Sequence, residues 1–253
     1  MGNALVTGGS RGIGRAIARA LAARGDRIAV HFSSDRAAAE ETLQLLSGDG
    51  HSVVAGDLRD PDVAARVVEE TVTGLGGIDI LVNNASIAPT DRLSHRVGDV
   101  DYAAWQSAWQ QMLDVNLAGA ANLTYLVARH LIDRRAPGAI VNIGSRGAFR
   151  GEPVFPAYGA SKAGLHAFGQ SMAVALAPHG ISVTSIAPGV ISSERQSVML
   201  SGAGGDAIRS QSPFGRVGTP DEVAQAVLYL TSADAVWATG AILDFNGASY
   251  LRS

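Results

Sequence analysis

The sequence predicts an α/β protein: a single doubly wound domain with a parallel seven-stranded sheet and helices on both faces. Three observations predict it. Short apolar runs alternate along the chain with longer segments of helical spacing. The short runs are apolar at consecutive positions rather than at every second one, as in strands buried on both faces. No linker or internal repeat divides the chain, so one domain spans residues 1–253.

The elements follow in order. "NALVTG" (3–8) reads as the first strand, ending in glycines. "GRAIARALAARG" (14–25) repeats Ile17, Leu21 and Ala22 at helical spacing, and Gly25 suits its C-terminal end. "RIAVHF" (27–32) is the second strand, "DRAAAEETLQLLS" (35–47) the second helix and "SVVAGD" (52–57) the third strand. Asp60 and Pro61 form an N-cap and first-turn pair for a helix over 60–76. "DILVNN" (79–84) is strand four, and a long helix runs from about Ala103 to Arg134. Strand five is "GAIVNIGS" (138–145), a helix covers Ala157 to Ala177, and strand six is "ISVTSIAPG" (181–189). A capped helix over 219–232 and a last strand over 240–247 complete the pattern. The polar, glycine-rich stretch 194–216 reads as a substrate lid, faced by a wall at 92–105.

Composition removes several classes of function. Hydrophobic residues make up 47% of the chain and charged residues 17%, which supports a large core. A net charge of −3 gives no electrostatic reason to bind nucleic acid or an anionic membrane. The absence of cysteine excludes disulfides and thiolate metal sites, and suits a cytoplasmic location. No apolar run is long enough to span a bilayer. The opening "MGNALVTGGSRG" enters a strand directly, so no leader is expected, and Val6 argues against N-myristoylation. The six histidines (His31, His51, His95, His130, His166, His179) contain no i, i+4 pair, so no metal is expected. Trp105 and Trp109 read as packing residues.

"TGGSRGIG" (7–14) joins the first strand to the first helix. Gly8, Gly12 and Gly14 permit a sharp turn and close backbone approach to a pyrophosphate. The helix start adds free N–H groups and a positive dipole end. No acid ends strand two to take a ribose hydroxyl; Ser33 stands there, and Asp35 suits the cap of the next helix. Arg11 in the loop is a cation suited to a 2′-phosphate, with Arg36 as a second. NADP(H) is therefore expected in preference to NAD(H). Asp57, at the end of strand three, reads either as an acceptor for the adenine amino group or as a turn residue.

Tyr158 and Lys162 are an i, i+4 pair on one helix face. A phenol is a poor acid at neutral pH, and a neighbouring ammonium brings it toward the working range. The small residues around Tyr158 leave room for a ligand. Ser145 ends strand five, where its hydroxyl can hold a carbonyl beside the phenol. Asn116 lies in the long helix, and its neighbours Val115 and Leu117 do not settle which face it takes. If buried, its amide must bond something, and a water leading to Lys162 is one candidate.

Taken together, "TGGSRGIG", "NNAS", "VNL", Ser145, "YGASK" and "APG" resemble, in order and spacing, the classical short-chain dehydrogenase/reductases. The resemblance covers residues 3 to about 247, and is nearest to the 3-oxoacyl-carrier-protein reductase-like branch. It implies a Rossmann fold and catalytic roles for Asn116, Ser145, Tyr158 and Lys162. It implies cofactor contacts from Gly8, Ser10, Arg11, Gly12, Ile13, Gly14, Ser33, Asp57, Leu58, Asn84, Ala85, Tyr158, Lys162, Pro188, Gly189, Ile191 and Ser193. It implies a homotetramer built through the two long helices and the last strand. Two departures stand out. Ser86 replaces the glycine of the usual "NNAG". His179 stands at the second of two places where carrier-protein reductases carry basic residues, the first being filled by Arg134 and Arg135, which counts against an acyl carrier protein as partner.

The expectation is an NADP(H)-dependent oxidoreductase that passes a hydride between nicotinamide and a small-molecule carbonyl or secondary alcohol, with 3-oxoacyl thioesters among the candidates. The alternatives are an NAD-dependent secondary alcohol dehydrogenase and a non-catalytic dinucleotide-sensing regulator. A pure sensor has no need of a tuned phenol.

Overall fold

The computed structural model describes residues 2–192, 200–202 and 204–252. Its strands are β1 (Asn3–Val6), β2 (Arg27–Phe32), β3 (Ser52–Ala55), β4 (Ile80–Asn83), β5 (Gly138–Ile143), β6 (Ile181–Pro188) and β7 (Ile242–Phe245). All pair in parallel, in the order β3-β2-β1-β4-β5-β6-β7. Chain direction across the sheet reverses between β1 and β4. The carboxyl ends of those two strands therefore open a crevice.

The pleat divides the core into two layers. Ala4, Val6, Ile28 and Val30 face one side, against α1 (Gly12–Ala23), α2 (Arg36–Gln44) and the helix over Pro220–Leu230. Leu5, Ala29, Leu81 and Ile140 face the other. There they meet α3 (Pro61–Leu75), α5 (Ala120–Arg134) and α7 (Pro156–Leu176). Burying each such aliphatic side chain is worth about 1.5–3 kcal/mol. The remaining labelled helices are α4 (Tyr102–Leu113), the single turn α6 (Gly147–Arg150), the short α8 (Gly205–Arg209) and α9, the Pro220–Leu230 helix above.

Most strands stop one or two residues before the expected ends, because those residues leave the ladder for the crevice. Thr7, for example, turns its hydroxyl onto the Val82 carbonyl (3.1 Å). Helix α1 starts at Gly12 rather than Gly14. The long helix is broken: residues Asp114–Gly119 form a π turn between α4 and α5. Gly119 there packs so closely on the Leu58 carbonyl that an added Cβ would approach it to 2.8 Å. Asp60 and Asp35 cap their helices as expected, accepting from the N–H groups of Asp62 (2.9 Å) and Ala38 (3.1 Å). Among the described residues, no helix is long and apolar enough to cross a membrane and no cluster suits a metal ion.

Candidate active site

A cleft of about 550 Å³ runs along the carboxyl ends of the strands. Every cofactor-site position expected from the sequence, from Gly8 through Ile191, lines it, and so does Ser145. Ser193 and residues 194–199 of the expected lid lie outside the described residues.

The phosphate end is built from backbone. Gly8 and Gly12 take φ of +62° and +55°, which side chains disfavour. A Cβ on Gly14 would lie 2.2 Å from the Gly8 carbonyl oxygen, so only glycine fits. Asn84 clasps the loop, its Nδ2 donating to the carbonyls of Thr7 (2.8 Å) and Gly8 (3.1 Å). Thr7 Oγ1 in turn accepts the N–H groups of Asn84 and Ala85, both at 2.9 Å. The first turn of α1 has neither a side-chain cap nor an acidic residue. Its N–H groups and positive dipole end are therefore left without a side-chain partner from within the helix, which fits a pyrophosphate.

His31 is a structural member that the sequence did not reveal. Its Nδ1 accepts the Gly8 N–H (3.2 Å), so the proton sits on Nε2, which donates to the Gly56 carbonyl (3.0 Å). Burial pushes this ring down to about 4. His166, on α7, is equally buried and is also pushed down to about 4 by burial. Among the described residues neither of its ring nitrogens finds a hydrogen-bond partner. Both rings are therefore neutral when folded but protonate near 6.5 when unfolded, so the unfolded chain binds more protons between those values. Stability is expected to fall as pH drops from about 6.5 to about 4, by up to roughly 3 kcal/mol per ring, and to lose no more to these rings below that. Urea denaturation across this window measures it. A His166→Leu chain should show a shallower slope, and an unchanged slope would reject the assignment of His166.

The cations expected at the 2′-phosphate are engaged with carboxylates. Arg11 pairs with Asp35 at 3.2 Å and Arg36 with Glu40 at 3.0 Å. Both pairs are largely exposed, so each holds its arginine only weakly. Asp57 accepts the backbone N–H of Arg59 (3.1 Å) and grips its guanidinium, which holds the carboxyl below its ordinary value. It is a turn residue that also lines the cleft. Leu58 is buried against the π turn.

At the chemical end, Ser145 Oγ accepts the Gly147 N–H (3.0 Å) and donates to no described group. Lys162 is buried, and its Nζ donates to the Ile143 carbonyl (2.8 Å). Burial pulls it down to about 8. Its Nζ lies 5.9 Å from the Tyr158 ring centroid. Asn116 faces inward, from the π turn. Its amide accepts from Ile87 N (2.8 Å) and donates to Ile87 O (3.2 Å) and Ser161 Oγ (3.0 Å). The amide thus ties the cleft wall to α7.

Three further residues take structural roles that the sequence reading did not assign to them. Arg146, next to Ser145, is buried and donates to Ser249 Oγ and Gln211 Oε1, joining the strand-five turn to the C-terminal turn. It borders a second cavity of about 460 Å³ that shares Ile191 with the cleft. Arg134 is exposed and pairs with Asp79 (3.2 Å) and the Ile78 carbonyl. His95 makes a buried contact with the start of α7. Trp105 and Trp109 pack together at 5.7 Å, as expected of packing residues.

Fold and cleft together are those of a dinucleotide-dependent oxidoreductase. A family model described as enoyl-(acyl carrier protein) reductase matches residues 8–247. The 3-oxoacyl-[acyl-carrier-protein] reductase FabG of Aquifex aeolicus is 38% identical, over 97% of this chain and 96% of its own length. The Escherichia coli protein of the same name is 37% identical, over 98% and 97%. Among solved structures, a double mutant of a Serratia marcescens short-chain dehydrogenase/reductase superposes with a TM-score of 0.86 at 30% identity, covering 98% of this chain and 97% of that one. The chain belongs to the short-chain dehydrogenase/reductase family, in its 3-oxoacyl-carrier-protein reductase-like branch.

Proposed function

We propose that the chain is an NADP(H)-dependent carbonyl reductase that acts on 3-oxoacyl thioesters. The observation that carries this reading is a buried lysine beside a tyrosine, on the cleft that also holds the glycine loop and the Ser145 hydroxyl. Gly8 to Gly14, with the start of α1, hold the pyrophosphate, and Arg11 exchanges Asp35 for the 2′-phosphate. Asn84, Ala85, Pro188, Gly189 and Ile191 line the nicotinamide end. Bound NADPH supplies the hydride.

The chain's own groups do the rest. The Ser145 hydroxyl, already oriented by Gly147 N–H, donates to the substrate carbonyl oxygen. Tyr158 gives that oxygen its proton as charge develops. The Lys162 ammonium favours the resulting phenolate. The π turn at Asn116 breaks the regular ladder and leaves a backbone carbonyl for a water that returns the proton. The stretch 194–216 serves as the lid. Tyr125, Val174 and Leu243, exposed on α5, α7 and β7, support a homotetramer, which sedimentation would show as a fourfold mass.

The family model's description favours one second reading, enoyl reduction. Acetoacetyl-CoA and crotonyl-CoA, each with NADPH and NADH, decide between them by the loss of reduced-nicotinamide absorbance. Turnover of the ketone with NADPH is expected. Turnover of crotonyl-CoA alone would overturn the carbonyl assignment. In the same assay Arg11→Ala should weaken NADPH by about tenfold and leave NADH nearly unchanged, since a charge-assisted phosphate contact is worth about 1.5–3 kcal/mol. Equal losses would remove Arg11 from the phosphate site.

A further inference from the structure

The helix that carries Tyr158 and Lys162 does not cap its own start. Phe155 precedes α7, and its side chain offers no acceptor. Pro156 has no N–H, and Tyr158 N–H donates to the Phe155 carbonyl (3.0 Å). The remaining amide, that of Ala157, donates to His95 Nε2 at 3.0 Å, across 62 positions of sequence and out of solvent. The other ring nitrogen, Nδ1, lies 2.7 Å from the Leu93 carbonyl. A carbonyl only accepts and an amide N–H only donates, so the ring is neutral with its hydrogen on Nδ1.

Everything around this ring fixes it. Its backbone N–H donates to the Val154 carbonyl (3.1 Å). Trp105 and Phe155 meet it edge-on, with centroids at 5.9 and 6.1 Å. It is 1% exposed. The segment that carries it leaves the cleft wall at Ser86 and Ile87, where Asn116 pins it, and ends against α7. One hydrogen bond thus joins the wall that faces a ligand to the residue next to Tyr158.

We propose that His95 is a positioning residue for the reaction: through the Ala157 N–H it caps α7 and holds the Tyr158 hydroxyl in register with Ser145. This rests on Tyr158 being the proton donor. His95 touches neither substrate nor cofactor. A misplacement of the donor by a fraction of an ångström lowers turnover without disturbing the distant glycine loop.

His95→Phe keeps a ring against Trp105 and Phe155 but removes the acceptor. His95→Gln brings an amide oxygen to about the place of Nε2. The measurement is kcat with acetoacetyl-CoA, per NADPH-binding site, beside the NADPH Kd from nicotinamide fluorescence. His95→Phe should lose about tenfold to a hundredfold in kcat with Kd unchanged, and His95→Gln should stay within about threefold of the native chain. A packing role alone predicts the opposite order. Adding Phe155→Ser supplies an N-cap acceptor within the helix and should restore kcat to His95→Phe. Native kcat in His95→Phe overturns the proposal. A double variant that regains neither fold nor turnover overturns it as well, including where His95→Phe alone does not fold. Tyr158→Phe separates the two readings. Turnover by that variant removes the proton-donor assignment, whereas an inactive Tyr158→Phe beside a fully active His95→Phe removes only the role of His95.

Discussion

Replacing Tyr158 by phenylalanine is expected to lower kcat about a thousandfold while NADPH binds within about twofold of the native affinity. The ring remains on α7, so the cleft wall keeps its shape. Only the oxygen is lost, and with it the proton that must reach the substrate oxygen. Water is a poor substitute because the site favours a phenol: the Lys162 Nζ lies 5.9 Å from the ring centroid, and the cation stabilises phenolate as the proton leaves. Residual turnover should come from orientation by Ser145. Steady-state kinetics with fluorescence titration of NADPH tests this. A variant that keeps more than about a tenth of the native kcat would place the proton elsewhere.

The second large effect concerns Lys162. Its side chain is buried in the cleft wall, and burial lowers it from 10.5 to about 8. Between pH 8 and 10.5 the unfolded chain still holds that proton while the folded chain has lost it. Stability from this group therefore rises with pH across that window, by about 3 kcal/mol in total. Below pH 8 the fold carries the cost of a buried ammonium, eased only by the Ile143 carbonyl (2.8 Å). Lys162→Met should remove the alkaline rise in stability and lower kcat about a hundredfold at pH 7. In the native enzyme carbonyl reduction should decline above about pH 8, as the neutral amine ceases to assist the phenol. Denaturation at pH 7 and 10 with a pH–rate profile measures both. A Met variant that keeps the alkaline rise, or native turnover that climbs through pH 9, would show that Lys162 is not the buried cation described.

Local features were the readable ones. The spacing of Gly8, Gly12 and Gly14 follows from sterics within one loop, and the structure leaves no room for a Cβ at Gly14. The i, i+4 relation of Tyr158 and Lys162 needs only a helix. The caps by Asp35 and Asp60 need only the next turn. Less local features were misread or missed. The helix expected over 103–134 has no proline to mark its break; its π turn packs Gly119 against Leu58, on a loop elsewhere in the chain. Arg11 reads as a loop cation, and its pairing with Asp35, 24 residues away, was missed. Arg134 is a surface cation, as read, but its pairing with Asp79, 55 positions away, is not a local feature.

The sequence by itself determined the layered parallel sheet, a ligand site beyond the carboxyl ends of its strands, and the residue types that line it; the strand order that opens the crevice between β1 and β4 came from the structure. Hydrophobic periodicity and turn chemistry are properties of neighbouring residues, so a single chain displays them. Only the tertiary structure decided that Lys162 is buried in the cleft wall, that Asn116 faces inward, and that His31 and His95 each take one tautomer. Those are matters of solvent exclusion and of hydrogen-bond partners 23 to 62 positions away. Side-chain charge states depend on what surrounds a group in space, and no local pattern encodes that.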